Sequence, residues 1–258
     1  MRERLDESIY WDPRHYEAHN AALTERDLPF LLRRAAEYGG PILELACGAG
    51  RLSVPLAAAG YQVVGLDLTT SLLEYSAERA REEGVAERLE LIEADVRRFD
   101  LGRLFPLIVY PFNAVTHLHD YRDVLACLRR VRAHLAPEGR FLLDLLNPKI
   151  TDFARDPAEV HREHSYPDPD GAGEVVVWES SRYDRATQLN HITWSYDIGD
   201  RRGVFERKLT MRQFYPQELR ALLDCAGLAV ERLWGDYDDS PFTAESPKQL
   251  ALCTANRR

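Results

Sequence analysis

Residues Ile42 to Arg51 read ILELACGAGR: a short apolar run, a turn holding Gly48 and Gly50, and the start of a helical pattern. A strand that runs into a glycine-rich turn and then a helix is a general device for holding a nucleotide. Glycine lets the backbone turn tightly and approach a ligand, and the helix N-terminus presents free N–H groups. Position 53, where a dinucleotide-binding GxGxxG places its third glycine, is Ser53, so the turn alone specifies only a nucleotide-like ligand.

Outward from this stretch the pattern alternates. Apolar runs at 62–66, 89–93, 107–112 and 140–146 are separated by helical patterns at 51–59, 70–83 and 120–135, the last ending before Pro137-Glu138-Gly139. Short apolar strands between longer amphipathic helices predict βαβ units around a parallel sheet buried on both faces. Upstream, residues 1–40 are polar and read as helical up to the stop at Gly39-Gly40-Pro41.

The texture changes after Pro148. Residues 151–172 are rich in Asp, Pro and His and read as a loop or short helix. Then EVVVWESSRYD, QLNHITWSYDIG and GVFERKLTMRQF, separated by turn-like residues at 184–187 and 199–203, predict an antiparallel meander. Pro216 opens QELRALLDCAG and Gly227 closes it, and strands at 228–234 and 248–254 complete the sheet. The expected fold is a Rossmann-like α/β domain: a seven-stranded, mostly parallel sheet with helices on both faces, and a three-stranded antiparallel β-meander cap inserted after the fifth strand. By this reading the chain divides into a helical lid segment (1–40), a nucleotide-binding core (41–148), the β cap (149–214) and a helix with the last two strands (215–258).

Bulk composition narrows the class. With 258 residues, 45% of them apolar, the chain can bury a substantial core, and a formal net charge of −9 argues against a nucleic-acid partner. Cys47, Cys127, Cys225 and Cys253 show no CxxC spacing, which excludes a cysteine zinc site and fits a reducing compartment. No segment approaches the apolar length of a membrane span or a signal peptide, so a cytoplasmic location is expected.

Three acids sharpen the ligand. Glu44 lies inside an otherwise apolar strand, where a carboxylate is costly unless it is paired. Asp67 closes the next run, VVGLD, and an acid at that place accepts ribose hydroxyls. Asp95 closes IEADV, where its carboxylate and the N–H of Val96 could read an adenine edge. Each alone is commonly a cap or turn residue. Together they fall at the carboxyl ends of strands, where open α/β sheets bind ligands.

ELACGAGR, VVGLD, EADV and LIVYPFNAVTHL, in this order and spacing, resemble the successive motifs of class I S-adenosylmethionine (SAM)-dependent methyltransferases. The resemblance is strong over 42–146. More loosely, the meander and an RxxxPxELxxLLxxAGL pattern are similar to small-molecule members, the glycine N-methyltransferase-like and aminosugar N,N-dimethyltransferase-like enzymes. It implies SAM as cofactor, with Glu44, Ala46, Gly48 and Gly50 at the methionine portion, Glu44 acting directly or through water. It also implies Asp67 and Leu68 at the ribose and adenine, Asp95 and Val96 at the adenine, and Phe112 beside the transferable methyl.

The acceptor side is read from NAVTHLH, residues 113–119, with Asn113 and His117 as catalytic candidates. A histidine can titrate near neutrality and take a proton from the acceptor, whereas His119 reads as a surface or capping residue. YPFN lacks the Asn/Asp-Pro-Pro-aromatic motif of enzymes that methylate base amines, which disfavours a nucleobase target. Tyr10, Trp11, His15 and Tyr16 near the N-terminus, and Trp194, Tyr196 and Arg212 in the meander, are candidates to enclose the acceptor. Of these, Tyr10, Tyr16, Trp194 and Arg212 are assigned to substrate together with Tyr237. The four acids in GDYDDSPFTAESP, residues 235–247, read as a solvated turn, and no metal is expected. The resulting expectation is methyl transfer from SAM to an N or O atom of a small-molecule acceptor, releasing S-adenosylhomocysteine. An NAD-dependent oxidoreductase on the same fold and a SAM-binding protein without catalysis are the alternatives.

Overall fold

The computed structural model describes residues 10–256. In chain order the elements are α1 (Pro13–Tyr38), β1 (Ile42–Leu45), α2 (Ser53–Ala58), β2 (Val63–Asp67), α3 (Thr70–Glu82), β3 (Leu89–Glu93), β4 (Phe105–Tyr110), α4 (Tyr121–His134) and β5 (Leu135–Leu146). They continue with α5 (Ile150–Phe153), β6 (His161–Pro167), β7 (Glu174–Asp184), β8 (Leu189–Ile198), β9 (Arg201–Arg212), α6 (Pro216–Cys225), β10 (Leu228–Trp234) and β11 (Lys248–Ala255). The chain forms two compact units: residues 24–147 with 214–258, and residues through Leu23 with 148–213.

The larger unit is built on a seven-stranded sheet in the order β10-β11-β5-β4-β1-β2-β3, parallel except for β11, which runs antiparallel to both neighbours. This is the Rossmann-like architecture expected from the alternation of strands and helices. Leu43, Leu45, Ile108, Phe141 and Leu143 pack with Val124, Leu128 and Val131 of α4 and Leu219 and Leu223 of α6 in one apolar cluster. Removing such a side chain costs about 2–5 kcal/mol for Leu to Ala, so the positions of strand ends are set by this core and not by the loops. Asp120 caps α4 by accepting the backbone N–H of Arg122, and Pro216 begins α6 where a missing N–H does no harm. The Pro137-Glu138-Gly139 break appears as a register shift, because β5 pairs Leu135 with Phe105 and then Arg140 with Leu107.

Strand order reverses at β1. From it the chain winds outward through β2 and β3 on one side and through β4 and β5 on the other. The crevice at the carboxyl ends of β1 and β4 is therefore the place where a sheet of this kind accepts a ligand.

The smaller unit holds an antiparallel sheet in the order β6-β7-β8-β9. The meander of β7, β8 and β9 matches the expected three strands, and α5 supplies the short helix. The additional strand β6 was not foreseen, because HREHSYP has no apolar alternation and buries only Tyr166. Its place is set by backbone pairing with β7. Tyr166, Val175, Val177, Tyr196 and Ile198 form this unit's core, with Ala18 of α1, Trp194 and Phe205 packed against it.

Candidate active site

The turn after β1 is wound left-handed at three residues, with φ of 55° at Ala46, 53° at Gly48 and 78° at Gly50. Only Ala46 carries a side chain there, a conformation costing of order 1–3 kcal/mol. The turn is pinned by Cys47 N–H to the Leu66 carbonyl (2.9 Å) and Gly50 N–H to the Cys47 carbonyl (3.0 Å). A Cβ on Gly50 would meet Ser76 Oγ of α3 at 2.2 Å, so glycine is required both for φ and for this close approach.

Asp67 joins this turn directly. Its Oδ2 accepts the Gly48 N–H at 2.9 Å and its Oδ1 the Thr69 N–H at 2.8 Å. Burial raises its pKa, and these backbone bonds offset part of the rise. The neighbouring Leu68 is 51% exposed, an apolar side chain left open beside a carboxylate. Glu44 is placed differently. It is 2% exposed and receives a hydrogen bond from the Ser53 hydroxyl inside the turn, and desolvation pushes its pKa up to about 7. Both routes expected for it, direct or through water, lead to a ligand, whereas the partner that the structure gives it is the Ser53 hydroxyl inside the turn.

Asp95 closes the turn after β3. Its oxygens take the Arg97 N–H (2.9 Å), the Arg97 Nη2 (2.7 Å) and the Arg98 Nη2 (3.1 Å). The Arg97 guanidinium holds its carboxyl well below the usual carboxylate range, despite the opposing desolvation. Val96 turns its side chain into the core. The carboxylate is thus already committed within its own turn, unlike Asp67, which stands beside the exposed Leu68.

Across the crevice, β4 leads through Pro111 into two consecutive left-handed residues, Phe112 (φ 47°) and Asn113 (φ 59°), and then a 3₁₀ turn over Ala114–His117. Asparagine tolerates this region and phenylalanine does not, so other bonds must hold the turn. Phe112 N–H donates to Asp144 Oδ2 (3.0 Å) and Asn113 N–H to the Asp144 carbonyl (2.9 Å). Asn113 Oδ1 accepts the Leu146 N–H (2.7 Å), which makes the buried carboxamide a strap between β4 and β5. His117 ends the 3₁₀ turn, and burial, with His119 adding to it, lowers its pKa to about 4. It is therefore a neutral imidazole at physiological pH, while His119 is exposed.

Four further charged residues meet here that the sequence reading did not single out. Asp144, in the middle of FLLDLL, pairs with Lys248 Nζ at 3.0 Å and accepts the Tyr237 hydroxyl at 2.8 Å. Arg51 grips Asp27 of α1 through two bonds, at 2.9 and 2.7 Å. The Phe112 ring lies 5.3 Å from the Arg51 guanidinium and 5.6 Å from Lys248 Nζ. A small pocket opens beside these groups, lined by Asp27, Phe30, Leu52, Pro111, Asp144 and Tyr237. Tyr237 is a buried wall of this cavity. Of the four acids in this loop, Asp236 pairs with Arg26 (2.7 Å) and Asp239 with Arg33 (2.9 Å) and Arg34 (3.0 Å) of α1, while Asp238 and Glu245 are exposed as in a solvated turn. The signal for Asp144 was the one used for Glu44, an acid inside an apolar strand.

In the smaller unit, Tyr10 and Tyr16 lie ring to ring at 5.3 Å, and Trp11 contacts His15 (4.6 Å) and Phe205 (5.1 Å). His15 meets the Tyr166 hydroxyl at 3.1 Å and Asp168 at 3.6 Å. Trp194 donates its indole N–H to Glu179 (2.8 Å) and lies 5.0 Å from the His19 ring, so its face of the meander is packed on α1. Arg212 is buried, contrary to the solvated charge usual on an edge strand. Arg207 pairs with Trp194, and Arg212 lies five residues further along β9, so the two-residue period places Trp194 and Arg212 on opposite faces. The sheet does not bring those two acceptor candidates together.

Comparison with known proteins agrees with this geometry. Residues 42–139 match a family described as a methyltransferase domain. The chain is 30% identical over 237 residues to the glycine/sarcosine N-methyltransferase of Halorhodospira halochloris, covering 91% of this chain and 80% of that protein. The chain belongs to the class I SAM-dependent methyltransferases. This methyltransferase is also 26% identical over 211 residues to the dTDP-3-amino-3,4,6-trideoxy-alpha-D-glucopyranose N,N-dimethyltransferase of Streptomyces venezuelae, covering 81% of this chain and 84% of that one. Its fold is that of the CcbJ methyltransferase from Streptomyces caelestis, with a TM-score of 0.79 at 23% identity over 90% of each chain. Among the described residues, no helix is long and apolar enough to cross a membrane.

The residues of the methyltransferase fit its cofactor. Asp67 sits at the carboxyl end of β2 with its oxygens turned to the backbone N–H groups of Gly48 and Thr69, which sets an acid at the edge of the glycine turn. A Cβ on Gly48 would meet only Leu72, at 3.9 Å, so the turn keeps open space on that side. The half-exposed Leu68 leaves an apolar surface open beside that acid.

Proposed function

We propose that this methyltransferase transfers the methyl group of SAM to a nitrogen or oxygen atom of a small molecule and releases S-adenosylhomocysteine. The observation that carries the reading is the pairing of two turns at the reversal of strand order. On one side Gly48 is tied to Asp67 beside the exposed Leu68, and on the other Phe112 and Asn113 are held left-handed. In this reading Asp67 accepts the ribose hydroxyls, and Leu68 covers the adenine whose edge the Asp95–Val96 turn frames. Ala46, Gly48 and Gly50 line the methionine portion, and Glu44 braces them through Ser53. Phe112 borders the methyl.

SAM supplies a methyl group on a positively charged sulfur, which a lone pair on the acceptor can displace in line. The protein's tasks are then alignment, exclusion of water and removal of one proton. Phe112 and Asn113 set the acceptor-side wall, and Tyr237 lines the adjoining cavity. His117, which burial keeps neutral, is the group of this reading that accepts the proton, as a weak base after the alkylated acceptor has become acidic. A nitrogen acceptor is supported by the names of the two relatives described above, both of which methylate amines. The acidic total charge supports a small acceptor over a nucleic acid.

The test uses SAM labelled in its methyl group with panels of small amines, amino sugars and phenols. Label on a small acceptor with matching release of S-adenosylhomocysteine is expected. Label on RNA or protein, with every small-molecule panel blank, would overturn the reading.

A further inference from the structure

We propose that the buried Asp144–Lys248 pair is a positioning device for methyl transfer, fixing the left-handed Phe112–Asn113 turn against the cofactor crevice. The proposal rests on the reading above, in which that turn borders the methyl group.

The pair is out of place on grounds of stability alone. Asp144 and Lys248 are 5% and 6% exposed on adjacent strands, and Asp144 lies between the buried apolar Leu143 and Leu145 and opposite Leu250. A buried ion pair of this kind seldom stabilises a fold more than apolar residues of the same volume would, because desolvation offsets the attraction. Its surroundings point to geometry. The Asp144 carboxylate takes Phe112 N–H and the Tyr237 hydroxyl on Oδ2, and Lys248 Nζ on Oδ1, while the Asp144 carbonyl takes Asn113 N–H. One residue thus satisfies both N–H groups of two successive left-handed residues, the backbone state that Phe112 would not adopt unaided.

Lys248 acts on the side chain of the same residue. Its Nζ lies 5.6 Å from the Phe112 ring centre and 5.3 Å from that of Tyr237, and the Arg51 guanidinium lies 5.3 Å from the Phe112 ring. Two cations lie against the Phe112 ring, each neutralised by its own carboxylate: Lys248 by Asp144 and Arg51 by Asp27. Arg51 directly follows Gly50 of the cofactor turn. Phe112 is therefore tied to both sides of the crevice, its backbone to β5 and its ring to Lys248 of β11 and Arg51 beside the cofactor turn. Asp144 and Lys248 touch neither reactant in this scheme; they act through Phe112.

The test is the double variant Asp144→Asn/Lys248→Met, which removes both charges at nearly constant volume. Its unfolding midpoint should stay close to that of the parent. Amide hydrogen exchange at Phe112 and Asn113 should accelerate about tenfold or more, with exchange at Gly48 and Gly50 unchanged. SAM affinity by calorimetry should fall about fivefold or more. Unchanged exchange at Phe112 and Asn113, or unchanged SAM affinity, in a folded double variant would overturn the proposal. If the double variant does not fold, Asp144→Glu keeps the charge and displaces the carboxylate by one methylene. It should accelerate exchange at Phe112 about tenfold, and no acceleration would overturn the proposal. If the parent protein itself fails to bind SAM, the assignment of the crevice falls, while the exchange result still judges the clamp.

Discussion

Glu44 in β1 and Asp144 in β5 are both carboxylates set inside strands that are otherwise apolar, and their surroundings treat them in opposite ways. Glu44 has a serine hydroxyl as partner and little solvent, and its pKa rises to about 7. Asp144 has a lysine ammonium, a tyrosine hydroxyl and a backbone N–H on its two oxygens. The first acid is accommodated by holding a proton for part of the time, and the second by pairing. The cofactor-side turn needs shape from its acid, which Ser53 and the left-handed residues transmit. The acceptor-side turn needs a fixed charge, because the conformation of Phe112 is not one it would keep alone.

Breaking the pair should have the largest effect. Lys248→Met leaves Asp144 buried without its counter-charge and should lower unfolding free energy at pH 7 by about 3–5 kcal/mol. Denaturant titration measures this, and a loss below about 1 kcal/mol would show that Asp144 does not depend on Lys248. The double variant described above should recover most of the loss, since it removes both charges together.

Glu44 should respond to pH instead. Its folded pKa lies above its unfolded value, so its contribution to stability is fully present below pH 4.5 and is lost as pH rises through about 7. A rise from 4.5 to about 7 corresponds to about 3 kcal/mol. Glu44→Gln should therefore flatten the decline in stability between those pH values and make the protein relatively more stable at pH 8. A decline as steep as in the parent would contradict the protonated state assigned to Glu44. A weaker Gly48 turn at every pH would show instead that the negative charge matters.

The two turns also differ in how far the sequence announces them. ILELACGAGR and VVGLD carry the cofactor side in local order, since glycine spacing and an acid at a strand end are contained within a few residues. The seven-stranded sheet was legible for the same reason, from apolar runs and helix stops close together in sequence. The acceptor side is assembled from afar. Asp144 and Lys248 are 104 positions apart, and Tyr237 reaches Asp144 across 93. Arg51 stood in the quoted motif, but its partner Asp27 lies in a helix where buried polar residues (His15, Asn20, Asp27, Arg34) alternate with apolar ones, which hides the buried face. β6 was missed because an edge strand can be specified by backbone pairing with few apolar side chains.

The most direct test of the account is a calorimetric titration of SAM into the parent protein and into Asp67→Ala, at pH 7.5. The parent should bind one SAM per chain. Asp67→Ala should bind it more weakly by about 1–3 kcal/mol, the range for charge-assisted hydrogen bonds, while remaining folded at the titration temperature. Equal affinity in the two proteins would contradict the placement of the ribose on Asp67, and with it the reading of the crevice at β1.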